Sequence, residues 1–316
     1  MKDLLSLNDV SKEFVVDVVE KAIEIKKNPD KYSEILKGKT LMMIFEKPSL
    51  RTRVSFEVGM TQMGGHAIYY NVSTSPLGKK ETIQDTAKTS SRYVDIIMAR
   101  LNKFEDCKAL AEHSSVPVID ALSDMHHPCQ ILADLQTIKE KLGNLQGLTL
   151  AYLGDCQNNV TYSLLHGCTH AGMNIKLGCP NDPEFKPKQE IIEQAKAIAA
   201  KNINPSRPEP SKVEVFHDPI EAIKDADIVY TDSWMSYHIP EERMELRKQK
   251  LMPFQVNSEL MKHARPKAIF MNCLPAMRGL EQSAEVIDGS QSVVFDQAEN
   301  RLHIQKAIML KLLGKI

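Results

Sequence analysis

Thr40-Leu41-Met42-Met43-Ile44-Phe45 is a short apolar run, and Glu46-Lys47-Pro48-Ser49-Leu50-Arg51-Thr52-Arg53 follows it directly. The stretch from Arg53 to Met63 reads as a helix. The reading is a strand that hands over to a helix N-terminus. Ser49, Arg51, Thr52 and Arg53 then sit where backbone N–H groups are free and the helix dipole is positive. Guanidinium forks beside such an end suit a phosphate or a similar anion. The same residues also suit an ordinary capped helix with solvated arginines, so this segment by itself leaves both readings open.

The alternation that starts here runs through the chain. Strands are predicted at Thr40–Phe45, Ala67–Asn71, Asp95–Ala99 and Val116–Asp120. A second series is predicted at Leu148–Leu153, Ile175–Gly178, Val213–Phe216, Asp227–Thr231, Ala268–Asn272 and Ser292–Phe295. Helical patterns lie between most of them, as at Arg53–Met63, Ile83–Tyr93, Gln130–Lys141 and Pro187–Lys201. Strand–helix alternation predicts an α/β fold of two domains, each a parallel β-sheet flanked by helices. The stretch Lys141–Gly147 ends one long helix and precedes the strongest strand, so the expected domains are 1–143 and 144–316. Ala298–Leu313 reads as a last helix. The highly charged stretch Tyr237–Lys250 reads as a solvated loop and surface helix.

A length of 316 residues fits two domains of ordinary size. Forty basic residues against 41 acidic ones leave a net charge of −1, which gives no nucleic-acid footprint and makes any basic site a local one. No apolar run approaches the roughly 20 residues that span a bilayer. Met1-Lys2-Asp3-Leu4-Leu5 lacks the features of a signal or transit peptide, so a cytoplasmic protein without membrane or nucleic-acid partners is expected. The six cysteines, at 107, 129, 156, 168, 179 and 273, form no C-x-x-C pair and are expected to be reduced thiols.

The unusual polar clusters each follow a predicted strand. They are Ser49–Arg53, Arg100, His126-His127-Pro128-Cys129-Gln130, Gly154–Asn159, Asp232-Ser233-Trp234-Met235-Ser236 and Cys273-Leu274-Pro275. Ligands of open parallel sheets bind beyond the carboxyl ends of the strands, so the clusters predict one cleft between two domains. The first half offers Arg51, Thr52, Arg53, Arg100, His127 and Gln130, which suit an oxyanion and an adjacent carbonyl. The second offers Asn159, Asp232, Ser236 and Cys273, which suit an amine. Group transfer from the first ligand to the second is the natural reaction class. Neither a G-x-G-x-x-G fingerprint nor a P-loop is present. His126-His127 is followed by Pro128 with no carboxylate at metal-ligand spacing, so no metal and no cofactor are expected. Cys273 is open to two readings, a small buried apolar side chain or a functional thiol.

Ser49-Leu50-Arg51-Thr52-Arg53, His127-Pro128-Cys129-Gln130, Asp232-Ser233-Trp234-Met235-Ser236 and Cys273-Leu274-Pro275, in this order, resemble the transcarbamylase family, and most of all its ornithine-specific branch. The likeness runs from Leu4 to Arg301. It implies a carbamoyl phosphate-binding first domain and an ornithine-binding second domain. The last helix, about 298–316, would pack back on the first. It further implies a homotrimer with shared active sites, small-molecule substrates, and transfer of a carbamoyl group to the ornithine side-chain amine. Ser49, Leu50, Arg51 and Thr52 would hold the phosphate. Arg100, His127, Gln130, Arg301 and the Cys273-Leu274 backbone would lie at the carbamoyl group. Asn159, Asp232, Ser236 and Tyr237 would bind the amino acid, with Cys273 and Asp232 guiding the amine to its neutral form. Arg51, Arg100, His127, Asp232 and Cys273 form the implied catalytic set.

Three positions depart from the family pattern. Asn272 stands where His is usual, Tyr237-His238 follows Ser236 in place of Met-Gly, and Pro76 aligns with a Gln supplied by the neighbouring subunit. The run Ser75–Lys80 looks instead like the aspartate-specific branch, which implies Lys79 or Lys80 in the neighbour's phosphate site. These departures leave room for another amine, such as putrescine or a modified ornithine, and for a non-catalytic anion-binding homologue.

Overall fold

The computed structural model describes residues 1–74, 81–203, 209–235 and 241–316, the side chains of 241 and 242 apart. Two compact units are present: Met1–Gln136 with Glu299–Ile316, and Thr137–Ala298. The division falls inside a helix, somewhat before the turn at 141–147.

The first unit carries, in chain order, α1 (Lys12–Lys27), β1 (Thr40–Phe45), α2 (Leu50–Gln62), β2 (His66–Asn71), α3 (Ile83–Ser90), β3 (Ile96–Arg100), α4 (Phe104–His113), β4 (Val118–Leu122) and the start of α5 (Pro128–Leu142). Its strands pair in the order β2-β1-β3-β4, all parallel. The inner strand β3, Ile-Ile-Met-Ala-Arg, is buried over its first four residues, as a strand covered on both faces must be. The edge strand β2 has no fully buried residue and alternates exposed and half-buried ones over His66–Tyr69. Ile44, Ile97, Ala99 and Val118 of the sheet pack with Leu110 and Ala111 of α4.

The second unit carries β5 (Thr149–Leu153), α6 (Asn159–His170), β6 (Asn174–Gly178), α7 (Gln189–Lys201), β7 (Val213–Phe216), α8 (Pro219–Ile223), β8 (Ile228–Tyr230), α9 (Glu241–Leu251), α10 (Ser258–Met261), β9 (Ile269–Met271), α11 (Ala284–Ile287) and the start of α12 (Val294–Leu312). The strands pair in the order β7-β6-β5-β8-β9, again all parallel. Ala151, Leu153, Val229 and Phe270 of this sheet share a core with Ala222, Ile223, Leu260 and Val294.

Each sheet winds outward in both directions from its first strand. The first reverses between β1 and β3, the second between β5 and β8. Such reversals open a crevice beyond the strand ends. Ser49–Arg53 follow β1 and Arg100 ends β3, while Asn159 and Asp232 follow β5 and β8.

One expected strand is absent. Ser292–Phe295 holds only an isolated bridge from Ser292 to Phe270, and α12 begins at Val294. Val293 N–H still donates to the Phe270 carbonyl at 3.0 Å, so the run closes one backbone contact beside β9 before it coils. Buried Val293 and Val294 supply the apolar signal of a strand while packing the start of a helix.

Candidate active site

Helix α2 is fixed by its sequence at both levels. Ser49 is its N-cap, in extended backbone, and its hydroxyl oxygen accepts the Thr52 N–H at 3.3 Å. Phe56 and Met60 are fully buried one helical turn apart and anchor the helix, each worth about 2–3 kcal/mol. The first turn therefore stands beyond β1 with its N-terminal N–H groups facing out of the capped end. Thr52 is buried, Arg51 half-buried and Leu50 exposed.

The two arginines of this turn have different fates. Arg53 is exposed, donates from Nε to Glu57 at 3.2 Å and lies 3.9 Å over the Tyr69 ring, so it contacts its own helix and the edge strand. Arg51 acts on His127 together with Arg100 and Arg301. Burial, and then the positive charges of Arg301, Arg100 and Arg51, push the His127 imidazole well below its usual range, so the ring is neutral at pH 7. Burial and Arg100 likewise lower the Lys47 ammonium.

Arg301 of α12 is 2% exposed and ties this corner together. Its Nη1 donates to Gln130 Oε1 at 2.7 Å and its Nη2 to Thr52 Oγ1 at 3.2 Å, while Gln130 Nε2 donates to Asp134 at 2.8 Å. The chain Thr52–Arg301–Gln130–Asp134 joins the first turns of α2 and α5 through α12. His126 belongs to the scaffold: it packs edge-on against Phe104 at 4.5 Å and burial lowers its pKa to about 4.

In the second unit the turn after β8 carries Asp232. Its Oδ1 accepts the Ser233 N–H at 2.7 Å and the Cys273 thiol at 3.0 Å. Cys273 is half-buried, whereas the other five cysteines, all free, are buried. Of the six, Cys273 alone is partly exposed, and its thiol meets a carboxylate. Asn272 is buried. Its Nδ2 donates to Gln282 Oε1 at 3.0 Å and its Oδ1 accepts the Leu274 N–H at 2.8 Å, which holds Leu274 at a φ of 56° ahead of the cis Leu274–Pro275 bond. Asn158 caps α6 by accepting the Thr161 N–H at 2.8 Å, and this places Asn159 at the first helical position beyond β5.

The structure thus brings Arg51, Thr52, Arg100, His127, Gln130 and Arg301 together in one unit, with Ser49 and Leu50 on the same turn. Asp232 and Cys273 meet in the other, where Leu274 adjoins them and Asn159 stands beyond the neighbouring strand end. Pro76, Lys79, Lys80, Ser236, Tyr237 and His238 lie outside the described residues. Among the described residues, no three His, Cys, Asp or Glu side chains are grouped to hold a metal ion.

Two residues of this region were not legible as site residues. Glu281 is fully buried and takes the Trp234 N–H at 3.2 Å and the Met277 N–H at 3.0 Å. Helix α9 is the surface helix expected of this stretch, with residues 243–250 exposed or half-buried, and Arg247 is the exception: it is only 6% exposed and ion-paired. Its partners Asp155 and Glu184 are remote in sequence, so charge patterning along α9 holds no signal for them.

A parallel α/β fold with cationic and amide side chains at the strand ends of one unit, and a carboxylate–thiol pair in the other, has the chemistry of a group-transferring α/β enzyme. A family model described as "Aspartate/ornithine carbamoyltransferase, carbamoyl-P binding domain" matches residues 2–140, and its companion "Asp/Orn binding domain" matches 146–312. The chain belongs to the aspartate/ornithine carbamoyltransferase family. It is 51% identical to the ornithine carbamoyltransferase of Methanothermobacter thermautotrophicus over 100% of both chains. With that of Thermococcus kodakarensis it shares 48% over 100% of this chain and 97% of the relative. The solved structure of the Pyrococcus furiosus ornithine carbamoyltransferase superposes with a TM-score of 0.93 at 46% identity, covering 100% of this chain and 98% of that one.

Proposed function

We propose that the chain transfers the carbamoyl group of carbamoyl phosphate to the side-chain amine of L-ornithine, giving L-citrulline and phosphate, in arginine metabolism. The names of its relatives support the substrate pair. The observation that carries the acceptor is the Cys273 thiol on Asp232 at 3.0 Å. A carboxylate there attracts a cationic amine, and a thiol beside it can take part in moving the proton. Neither would favour a carboxylate-bearing side chain.

In this reading Ser49, Leu50, Arg51 and Thr52 receive the phosphate at the N-terminus of α2, with Lys79 or Lys80 entering from a neighbouring subunit. Arg100, His127 and Gln130 take the carbamoyl group, with Arg301 and the Cys273-Leu274 backbone beside it. Asn159, Asp232, Ser236 and Tyr237 take the amino acid. An aliphatic ammonium has a pKa near 10.4 and must lose a proton to become a nucleophile. The amine nitrogen then attacks the carbamoyl carbon, the bond from that carbon to the phosphate oxygen breaks, and the phosphate leaves with its electron pair. Overall an ammonium and carbamoyl phosphate dianion give the neutral urea group, hydrogen phosphate dianion and one proton. Arg51 and Arg100 stabilise the growing oxyanions. A neutral His127 serves as a hydrogen-bond donor that does not itself give up a full charge, as a histidine with depressed pKa can. No cofactor is needed.

The proposed assembly is a homotrimer in the cytoplasm. Leu50 and Val54 on the outer face of α2 are 74% and 47% exposed and flank an open groove of about 710 Å³ beside the capped turn. Exposed apolar residues next to a phosphate site support a subunit contact there. Among the described residues no helix is long and apolar enough to cross a membrane. The test of the activity is direct: purified protein given carbamoyl phosphate and ornithine should release citrulline and phosphate in equal amounts. Ornithine should lead a panel of amines by kcat/KM, and a panel led by putrescine would replace the acceptor.

A further inference from the structure

Arg247 is the buried cation of α9, with exposed or half-buried residues on either side of it from 243 to 250. Each nitrogen of its guanidinium makes a hydrogen bond. Nη2 donates to Asp155 Oδ2 at 2.5 Å, Nη1 to Glu184 Oε1 at 2.9 Å, and Nε to the Trp234 carbonyl at 3.3 Å. The fork also lies 4.9 Å over the Phe185 ring. Burying one cation against two carboxylates is costly unless geometry is specific, and a planar five-donor group supplies that specificity.

The carbonyl that Arg247 holds is two residues past Asp232. The other side of the same residue is held as well, since Trp234 N–H donates to the buried carboxylate of Glu281 at 3.2 Å. The Trp234 ring is closed against β5: a Cβ added at Gly154 would stand 2.6 Å from its Nε1, and Gly154 has a φ of 126°. Asp155, the next residue, is one of the two acids on Arg247. The turn that carries Asp232 is therefore gripped at Trp234 by a cation, a carboxylate and a glycine shelf, from three separate segments of the unit.

We propose that Arg247, with Glu281, is a positioning residue for the amine substrate: it sets the Asp232-Ser233-Trp234 turn so that the Asp232 carboxylate meets the ornithine side chain. The inference rests on the assignment of Asp232 to the amine. Arg247 touches no reacting atom. Its effect passes through the Trp234 peptide, so it falls on one substrate only.

Kinetics of the full-length protein test this with Arg247→Lys, Arg247→Met, Glu281→Gln and, as control, Asp232→Asn. Lys keeps the charge but cannot bond two carboxylates and a carbonyl at once. Arg247→Lys should raise KM for ornithine about tenfold and Arg247→Met further, while KM for carbamoyl phosphate stays within about twofold. Glu281→Gln should shift the same constant in the same direction. If Arg247→Lys lowers Tm but moves neither KM, or moves both together, Arg247 is only structural and the proposal is overturned. If Asp232→Asn raises the ornithine KM while both Arg247→Lys and Glu281→Gln leave it unmoved, the positioning role fails alone. If Asp232→Asn itself leaves the ornithine KM unmoved, the placement of the amine fails and takes the proposal with it. Should Arg247→Met not fold, the Lys and Gln variants still decide.

Discussion

Asp120 is fully buried on β4, with Oδ2 accepting the Ser123 hydroxyl at 2.7 Å and Oδ1 without a hydrogen-bond partner among the described residues. Burial drives its carboxyl well above the usual range; the Ser123 and Leu122 hydrogen bonds and the Arg100 charge pull the other way without reversing it, and Asp124 adds to the rise. The folded protein thus keeps a proton that the unfolded chain gives up above pH 4 or so. Where the unfolded state binds fewer protons, stability falls as pH rises, so Asp120 costs stability from about pH 4 up through its native pKa. Asp120→Asn removes that cost. We expect it to stabilise by about 1–3 kcal/mol at pH 8 and by clearly less at pH 5, read from urea unfolding at both values. An equal gain at both would mean that the carboxyl is ionised in the native protein. His127 leads to a second expectation at this scale. Its imidazole is already neutral well below pH 6.5, so the ratio of kcat/KM between the parent and His127→Ala should stay constant from pH 7.5 to 6. The ratio itself should be about 10² to 10³, the usual cost of one oxyanion donor. A ratio that collapses through pH 6.5 would show a working ionisation at this ring.

Helix α2 and helix α12 meet at the element scale, where the proposed phosphate site is backed from behind. Besides the Arg301 bond to Thr52, the Ser55 hydroxyl donates to Gln305 Oε1 at 2.5 Å, and Lys306 reaches Gln62. Arg301→Met keeps much of the bulk but leaves Gln130 Oε1 and Thr52 Oγ1 without their shared donor. We expect the Kd for carbamoyl phosphate, measured by calorimetry without ornithine, to rise at least about tenfold, with a drop in Tm from the lost buried bonds. An unchanged Kd would remove Arg301 from the site. The strand-to-helix handover was legible because an apolar run ends at Phe45 and the cap, turn and anion residues coincide at Ser49. Asp232 and Cys273 were legible for the same reason, as chemistry at strand ends. Arg247 was not, because its surroundings are made by Asp155 and Glu184, 92 and 63 positions away. The contact of Arg53 with Tyr69 was not legible either, because that ring arrives from β2. The apolar run at Ser292–Phe295 is short enough for strand and helix to share, and only the bridge to Phe270 decides where α12 begins.

For the whole molecule, the alternation of strands and helices was enough to foresee two parallel sheets, because each parallel pair demands a covering crossover. The proposed assembly would leave a fainter trace in one chain: exposed Leu50 and Val54 beside the capped turn of α2, and the sequence run Ser75–Lys80. If Lys79 or Lys80 completes a neighbour's phosphate site, Arg51 and the lysines of one working site come from different chains. Arg51→Ala and the double variant Lys79→Ala/Lys80→Ala should each lose most turnover as pure proteins. Mixing them after dissociation and reassembly must then restore activity. A site works when the chain giving Arg51 is the lysine variant and the neighbour giving lysine is the arginine variant, so equal mixing restores about one quarter of native sites. A site built within one chain predicts no gain at any ratio, because every chain carries one lesion. The readout is citrulline formation against mixing ratio, with light scattering to follow the mass of the assembly. A bell-shaped curve peaking at equal mixing supports the shared site, and a flat line near the parents' residual rate rules it out.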